Sequence, residues 1–208
     1  MLNKSFIIFI IILNNFILNY AYSEDQINFD VSQIEILEGG NKIIGKKRGT
    51  IKTNDGVIIN ADEFEYDKIK NVLKAEGNIT VNDKSNNYII NSENILYLKD
   101  QEKIQIKGKS SSLIFSNYNF KSEDIIILRD KLILKANKPT TIIDKKNQTL
   151  YEIDKLSYSI KDEILKGEKI FINTNFNQPF SDNYFFKSAI FNLKDQSYIA
   201  KDIDINLK

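Results

Sequence analysis

The feature that most constrains this chain is a segment that recurs about every thirty residues. The segment is clearest in VIINADEFEYDKIKNVLKAEGNITVND, where apolar and polar residues alternate on both sides of a charged turn. Equivalent apolar residues are spaced 31, 30, 31 and 34 positions apart, at Phe64, Ile95, Ile125, Leu156 and Ile190. A degenerate copy places Ile34 thirty residues before the first of them. A fixed period of this length is typical of folds in which one supersecondary unit stacks on the next.

Within each unit the hydrophobic period is two residues, which predicts β-strands. Between Leu73 and Val81 the odd-numbered residues are apolar or small, and the even-numbered residues are polar or charged. Turn-forming residues separate such stretches at positions 54–56, 67–71, 82–87, 99–102, 144–147 and 177–179. We therefore predict an all-β chain with two to three short strands in each unit. Because each strand has one apolar face, the sheet must fold over itself into a jellyroll-like spiral sandwich with open ends.

Small residues recur on the predicted interior side, at Ala61, Ala75, Gly77, Ser92 and Ser122. Interiors normally favour bulky side chains, because voids lose contact energy. Two interpretations remain open at this point. The small residues either allow tight packing where strands bend, or they leave room for a long apolar guest.

Composition argues against catalysis and against nucleic-acid binding. The 208 residues contain no His and no Cys, which removes the commonest general base, the commonest metal ligand and any disulfide. Carboxylates are numerous, but no pair of them is distinguished from the general charge pattern. The net charge of +1 lacks the basic excess of a nucleic-acid surface. We predict no enzyme activity, no catalytic residues, no cofactor and no metal site.

Two charged motifs have alternative interpretations. The compact basic cluster Lys46-Lys47-Arg48 either contacts lipid phosphates at the mouth of a groove or forms a solvated turn. Asp202-Ile203-Asp204 is a weak candidate for Ca²⁺, and a strand with polar outward residues explains it as well.

The N-terminal segment predicts export. After Lys4, an apolar run interrupted by Asn14 and Asn15 extends from Phe6 to Leu18, which is shorter than the roughly 20 residues that span a bilayer. Ala21-Tyr22-Ser23 provides small residues where a signal peptidase cuts, so residues 1–23 are predicted to be a cleaved signal peptide. An uncleaved N-terminal anchor is the alternative.

The best-defined unit resembles the repeat of the OstA-like family of lipopolysaccharide-transport proteins. The resemblance lies in Ala61-Asp62, in Phe64-Glu65-Tyr66-Asp67 and in Ala75-Glu76-Gly77-Asn78-Ile79. The second unit keeps Tyr97 and Gly108 but replaces the first pair by Ser92-Glu93. The resemblance extends from about Phe29 to the C-terminus, and in the last two units it is a match of periodicity alone.

This resemblance implies a β-jellyroll domain over residues 24–208 that transports lipopolysaccharide towards the outer membrane. Acyl chains would lie in its apolar groove, and neighbouring jellyrolls of the pathway, similar to LptA and LptC, would join end to end by edge-strand pairing. The chain is most similar to the N-terminal periplasmic domain of the outer-membrane assembly protein LptD. It is either a fragment of such a protein or a stand-alone bridge protein. Implied partners are lipopolysaccharide, other jellyrolls and outer-membrane barrel or plug components, with no nucleic acid, and the implied location is the periplasm at the outer membrane.

Alternation places fourteen residues on the expected groove lining: Ile59, Ala61, Phe64, Tyr66, Leu73, Ala75, Ile79, Ile90, Ile95, Tyr97, Ile106, Ile125, Ile127 and Leu134. The same residues would form an ordinary core if the interior were closed. The alternative function is therefore a structural or adhesive β-solenoid with a closed core. A glycosidase or lyase on a β-solenoid is disfavoured, because no converging carboxylates repeat on one face.

Overall fold

The computed structural model describes residues 27–54 and 56–206, and these residues are almost entirely β-strand. The predicted signal peptide and its cleavage site lie outside the described residues. Two short 3-10 helices span Glu38–Gly40 and Lys99–Gln101. The described residues form sixteen strands: β1 (Asn28–Leu37), β2 (Lys42–Lys52), β3 (Val57–Ala61), β4 (Glu63–Asp67), β5 (Val72–Asp83), β6 (Tyr88–Leu98), β7 (Lys103–Lys107), β8 (Ser112–Phe115), β9 (Tyr118–Ser122), β10 (Asp124–Leu128), β11 (Ile133–Ala136), β12 (Thr140–Asp144), β13 (Thr149–Ser159), β14 (Ile164–Thr174), β15 (Asn183–Asn192) and β16 (Ser197–Asn206).

The strands form two layers because the long strands bend and take part in both. In β6, Asn94–Leu98 pairs with β7, whereas Tyr88–Asn91 pairs with β8. Strand β13 divides in the same way between β11 and β12. Layer A therefore contains β4, β7, β10 and β11, and layer B contains β3, β8, β9 and β12, with the halves of the long strands completing each layer. The pairing closes a ring from β6 through β7, β10, β11, β13, β12, β9 and β8 back to β6, so the all-β jellyroll prediction is confirmed.

The prediction of uniformly short strands is wrong for the strands that cross between layers. Strands β5 and β6 contain 12 and 11 residues, respectively. Each is continuous through a bend. In β6 the bend moves the buried positions from even-numbered to odd-numbered residues, so a two-residue pattern divides that strand into two pieces, whereas in β5 the alternation continues through the bend. In β5 the bend falls between Glu76 and Ile79, at Gly77, whose φ of 75° is accessible to glycine with little steric cost.

The bends all lie on one side of the sandwich, which we call the bend edge. Polar residues occupy it, including Asp62 between β3 and β4 and Asp154 within β13. Surface ion pairs lie along this edge: Arg48 contacts Asp62 at 2.9 Å, and Lys169 contacts Asp154 at 2.9 Å. The basic cluster of the sequence therefore belongs to the bend edge, where Lys46 pairs with Glu35 and Arg48 pairs with Asp62.

The small residues of the repeat also lie beside the bends. Ala61 and Ala75 are 0% and 2% exposed, and Ser92 and Ser122 are buried where their strands end or bend. The Ser92 hydroxyl lies 2.9 Å from the Ser111 hydroxyl and donates to a backbone carbonyl. Of the two interpretations left open by the sequence, this placement favours tight packing at bends.

Turns of both layers meet along the opposite side, which we call the open edge. Successive layer A turns are joined by equivalent backbone hydrogen bonds of 2.8–3.0 Å, donated by Lys68, Lys99, Arg129, Ile160 and Leu193. One thirty-residue repeat is thus one circuit around the sandwich, which explains the period.

The last circuit corrects the predicted register. Its donor follows the previous one by 33 residues, whereas the sequence alignment used 34. Ile190 accordingly points outward and is 43% exposed, while its neighbours Ala189 and Phe191 are buried.

Candidate functional site

The interior between the two layers contains all fourteen predicted lining residues. Thirteen of them are at most 7% exposed, and Tyr97 is partly buried. In the middle of the sandwich Leu134, Ile125 and Phe120 are each 0% exposed, so the layers pack directly against each other there. Phe120 and Tyr158, with ring centroids 5.1 Å apart, were not among the predicted residues, although their alternation patterns place them on the same face. Whether the fourteen residues contact a lipid stays a prediction.

The apolar interior reaches solvent at both ends of the sandwich. Strand β1 pairs with β2 alone and β16 with β15 alone among the described strands. Register places Ile36 of β1 opposite Ile43, and Tyr198 of β16 opposite the buried Phe191, so both face inward. Yet Ile36 is 63% exposed and Tyr198 is 51% exposed. An apolar strip that is buried along the molecule is therefore uncovered at its two terminal strands.

A cavity of about 370 Å³ opens between the layers near the C-terminal end. Its size falls within the roughly 300–1,000 Å³ usual for small-molecule sites. Aromatic side chains dominate its lining: Tyr118, Tyr151, Tyr184, Phe186, Phe191 and Tyr198. Phe186 and Phe191 pack edge to face, with centroids 5.6 Å apart. Sequence reasoning missed this cavity because strands β12–β16 contribute to it from both layers.

A buried carboxylate lies in the cavity wall. Asp144, at the end of β12, is 1% exposed. Its Oδ1 accepts hydrogen bonds from the backbone N–H groups of Lys146 and Asn147 at 2.9 and 3.1 Å, and its Oδ2 accepts from the Asn147 amide at 2.7 Å. Burial raises the pKa of Tyr118 to about 12, and the charge of Asp144 adds to the effect. The pKa of Tyr151 is raised by the same two causes in the same order.

An arginine crosses the open edge at mid-length. Arg129 follows β10 in layer A, and its Nη2 lies 3.5 Å from Oδ2 of Asp83, a residue of layer B that is 0% exposed. Its Nη1 lies 3.2 Å from Glu102 and donates at 3.0 Å to the hydroxyl of Tyr97, whose ring centroid is 5.6 Å from the guanidinium carbon. The Tyr97 hydroxyl in turn donates to Glu102 at 2.8 Å. Burial and this hydrogen bond raise the pKa of Tyr97. Tyr97 thus takes part in a polar bridge between layers as well as lining the interior.

Metal-ligand clusters and helices able to cross a membrane are both absent from the part of the chain that the structure describes. In residues 27–54 and 56–206, no three His, Cys, Asp or Glu side chains are grouped so that they could hold a metal ion. Within the same ranges, no helix has the length and hydrophobicity needed to cross a membrane.

The fold and site define a two-layered β-jellyroll whose apolar interior is open at both ends. No family model matches the chain, and a search of curated proteins finds no match either. Among solved structures the chain is similar to LptH, the LptA homologous periplasmic component of the conserved lipopolysaccharide transport device from Pseudomonas aeruginosa. The likeness covers 74% of this chain and 96% of that chain, at 11% identity and a TM-score of 0.33. A likeness this weak carries no argument about function, and the fold assignment rests on the strand pairing described above.

Proposed function

We propose that this chain is a non-enzymatic, OstA-like carrier in lipopolysaccharide transport, holding acyl chains between its two layers. The observation that carries the proposal is the apolar interior strip uncovered at both ends, at Ile36 of β1 and Tyr198 of β16. The resemblance of the repeat around Ala61-Asp62 to the lipopolysaccharide-transport family supports the same function.

Apolar burial alone supplies the required binding energy. Each methylene removed from water contributes about 0.8 kcal/mol, so a few acyl chains are held firmly but without directional constraint. Non-directional binding suits a guest that moves along the interior. Because Leu134 and Ile125 are 0% exposed, such passage requires the layers to separate in the middle. The open edge, which is built of turns, is the side where separation breaks no strand pairing.

The free edges of β1 and β16 fit partners of the same fold. Each terminal strand presents backbone N–H and C=O groups that no described strand pairs. Edge-strand addition of neighbouring pathway jellyrolls would satisfy these groups and join the interiors end to end. On this proposal, residues 1–23 direct export to the periplasm, and the chain acts as a bridge or as the N-terminal domain of an assembly protein of the LptD type at the outer membrane.

A structural scaffold with a closed core is the second candidate, and one observation favours it. Tyr158, Leu134 and Ile142 are fully buried in a packed centre that holds the two layers together. A protein that only needs stiffness would have this interior. It would not need apolar strips at its two ends.

Photo-crosslinking to lipopolysaccharide separates the two candidates. A photoreactive residue replaces Ile36 or Tyr198, which face inward and are exposed enough to accept it, and Leu134 tests the centre. Glu35 and Ile199 are matched controls, because they are outward neighbours on the same strands. Adducts at inward positions with none at the controls are expected. Equal labelling of both sets, or no adduct from a folded protein, would overturn the carrier proposal.

A further inference from the structure

Two turns of layer B are built in the same way. Asp83 begins the sequence DKSN, and Asp144 begins DKKN. In both turns Oδ1 of the aspartate accepts from the backbone N–H of the asparagine three residues later, at 2.9 and 3.1 Å. In both, Oδ2 accepts from that asparagine's side-chain amide, at 2.9 and 2.7 Å. The two carboxylates are therefore structural equivalents, separated by two circuits, and both are at most 1% exposed.

The two carboxylates differ in what faces them across the open edge. Arg129 faces Asp83, and its backbone N–H donates to Glu102 at 2.8 Å. The equivalent backbone hydrogen bond near Asp144 runs from Leu193 to Glu163 at 2.9 Å. Leu193 is therefore the structural equivalent of Arg129: it lies beside Asp144 as Arg129 lies beside Asp83. Both Leu193 and Asp144 line the 370 Å³ cavity.

No cation of the described residues forms an ion pair with Asp144. No Lys or Arg nitrogen of the described residues lies within 4.0 Å of its carboxylate. Burial of a carboxylate without an opposite charge is costly, and its hydrogen bonds offset only part of that cost. The pKa of Tyr118, raised by burial and by the charge of Asp144, is consistent with a negative potential inside the cavity.

We propose that the cavity is a binding site for an amphiphilic cation, an apolar chain that ends in an ammonium or guanidinium group. The cation would contact Asp144 as Arg129 contacts Asp83, and the chain would lie against Phe186 and Phe191. Faces of Tyr118 and Tyr151 add cation–π attraction, which strengthens where water is excluded. A negatively charged head group beside Asp144 is disfavoured by the same carboxylate, which leaves acyl chains with a distant head group unaffected. The site goes beyond the lipopolysaccharide role and does not depend on it.

Three octyl amphiphiles of matched chain length test the charge preference. Purified protein is titrated by calorimetry with octylammonium, octanol and octyl sulfate, each below its micelle concentration. Octylammonium is expected to bind roughly tenfold or more tightly than octanol, since a charge-assisted hydrogen bond is added, and octyl sulfate is expected to bind weakest. Equal affinity for the three would overturn the proposal, because it would show an apolar pocket that does not discriminate charge.

Substitutions at Asp144 and Leu193 test whether the preference for octylammonium comes from the Asp144 carboxylate. Asp144→Asn keeps the turn's acceptor oxygen but removes the charge, and it should erase the preference for octylammonium over octanol. Leu193→Arg should also erase it by supplying an internal counter-charge, whereas Leu193→Met should retain it. Asp154→Asn, on the bend edge, is the control for net charge. If Asp144→Asn does not fold, the comparison of Leu193→Arg with Leu193→Met still tests the site. An unchanged preference for octylammonium over octanol in Leu193→Arg would refute it.

Discussion

The bridge made by Arg129 yields the sharpest test of how the two layers are held together. Replacing Arg129 by Met retains an aliphatic side chain of similar length but removes the guanidinium group that faces Asp83, which is 0% exposed. Breaking a buried ion pair by deleting one partner is strongly destabilising, because the remaining charge is left uncompensated. Asp83 keeps its two hydrogen bonds from Asn86, which reduces the loss.

The expected loss follows from these contacts. Deleting one partner of a buried pair costs roughly 3–5 kcal/mol, and the retained hydrogen bonds bring the estimate for Arg129→Met to about 2–4 kcal/mol. The contact with Glu102 adds little, since that side chain is 42% exposed. For a domain of this size the loss corresponds to a fall in Tm of roughly 4–16 °C.

Thermal and urea denaturation followed by circular dichroism measure this effect. Arg48→Met is the matched control, because Arg48 also pairs with an aspartate, Asp62, but at the solvated bend edge with both side chains exposed. Its Tm should hardly change. If both variants shift Tm equally, or neither does, Arg129 does not stabilise the packing of the layers. The double variant Arg129→Met/Asp83→Asn should recover part of the lost stability, since it leaves no unpaired buried charge at this position.

Three further perturbations address the alkaline limit, strand packing and the core. Burial raises the pKa of Tyr118 from 10.0 to about 12, so its neutral form stabilises the fold fully below pH 10 and this contribution is lost as pH rises towards 12. The urea midpoints measured near pH 8 and near pH 11 should therefore differ less in Tyr118→Phe than in the parent protein. Gly49→Ala would place a Cβ 2.7 Å from the Asp30 carbonyl, so urea unfolding should show a loss of about 1–3 kcal/mol. In Gly45→Ala the nearest atoms to the new Cβ are side-chain atoms of Val31, the closest a methyl at 3.1 Å, so the loss should be smaller. Leu134→Ala should lose about 2–5 kcal/mol in the same assay, and a smaller loss would indicate a loosely packed centre.

The fold was largely predictable because its two controlling signals are local. A two-residue hydrophobic period marks strands with one buried face, and the thirty-residue period marks one circuit around the sandwich. What escaped prediction are features that break the local pattern without ending the strand. The bend of β6 divides a continuous strand in sequence but not in structure. The irregular last circuit misled the alignment by one residue and placed Ile190 inward, where the structure has Ala189.

The site was only partly predictable, since its geometry depends on contacts across the open edge. Burial of the fourteen interior residues follows from alternation. The pairing of Arg129 with Asp83 joins residues 46 positions apart on different layers, and no periodicity specifies which turns face each other. A signal for the cavity was nevertheless present. The recurrence of DKSN as DKKN points to equivalent turns. Their shared turn geometry and the burial of both aspartates, which raise the question of counter-charges, appear only in the structure.

Equivalent positions along the open edge change character from one end of the molecule to the other. The five layer A turns that share one backbone hydrogen bond present Lys68, Lys99, Arg129, Ile160 and Leu193 in chain order. The backbone is conserved from circuit to circuit while the side chain changes from cationic to apolar. Charge therefore helps to join the layers at mid-length, whereas apolar contact and a cavity replace it near the C-terminal end. Because an uncompensated carboxylate and a cavity both weaken packing, we expect the layers to separate more easily beside this cavity than in the packed middle around Leu134. An apolar guest is thus expected to enter the interior at that end.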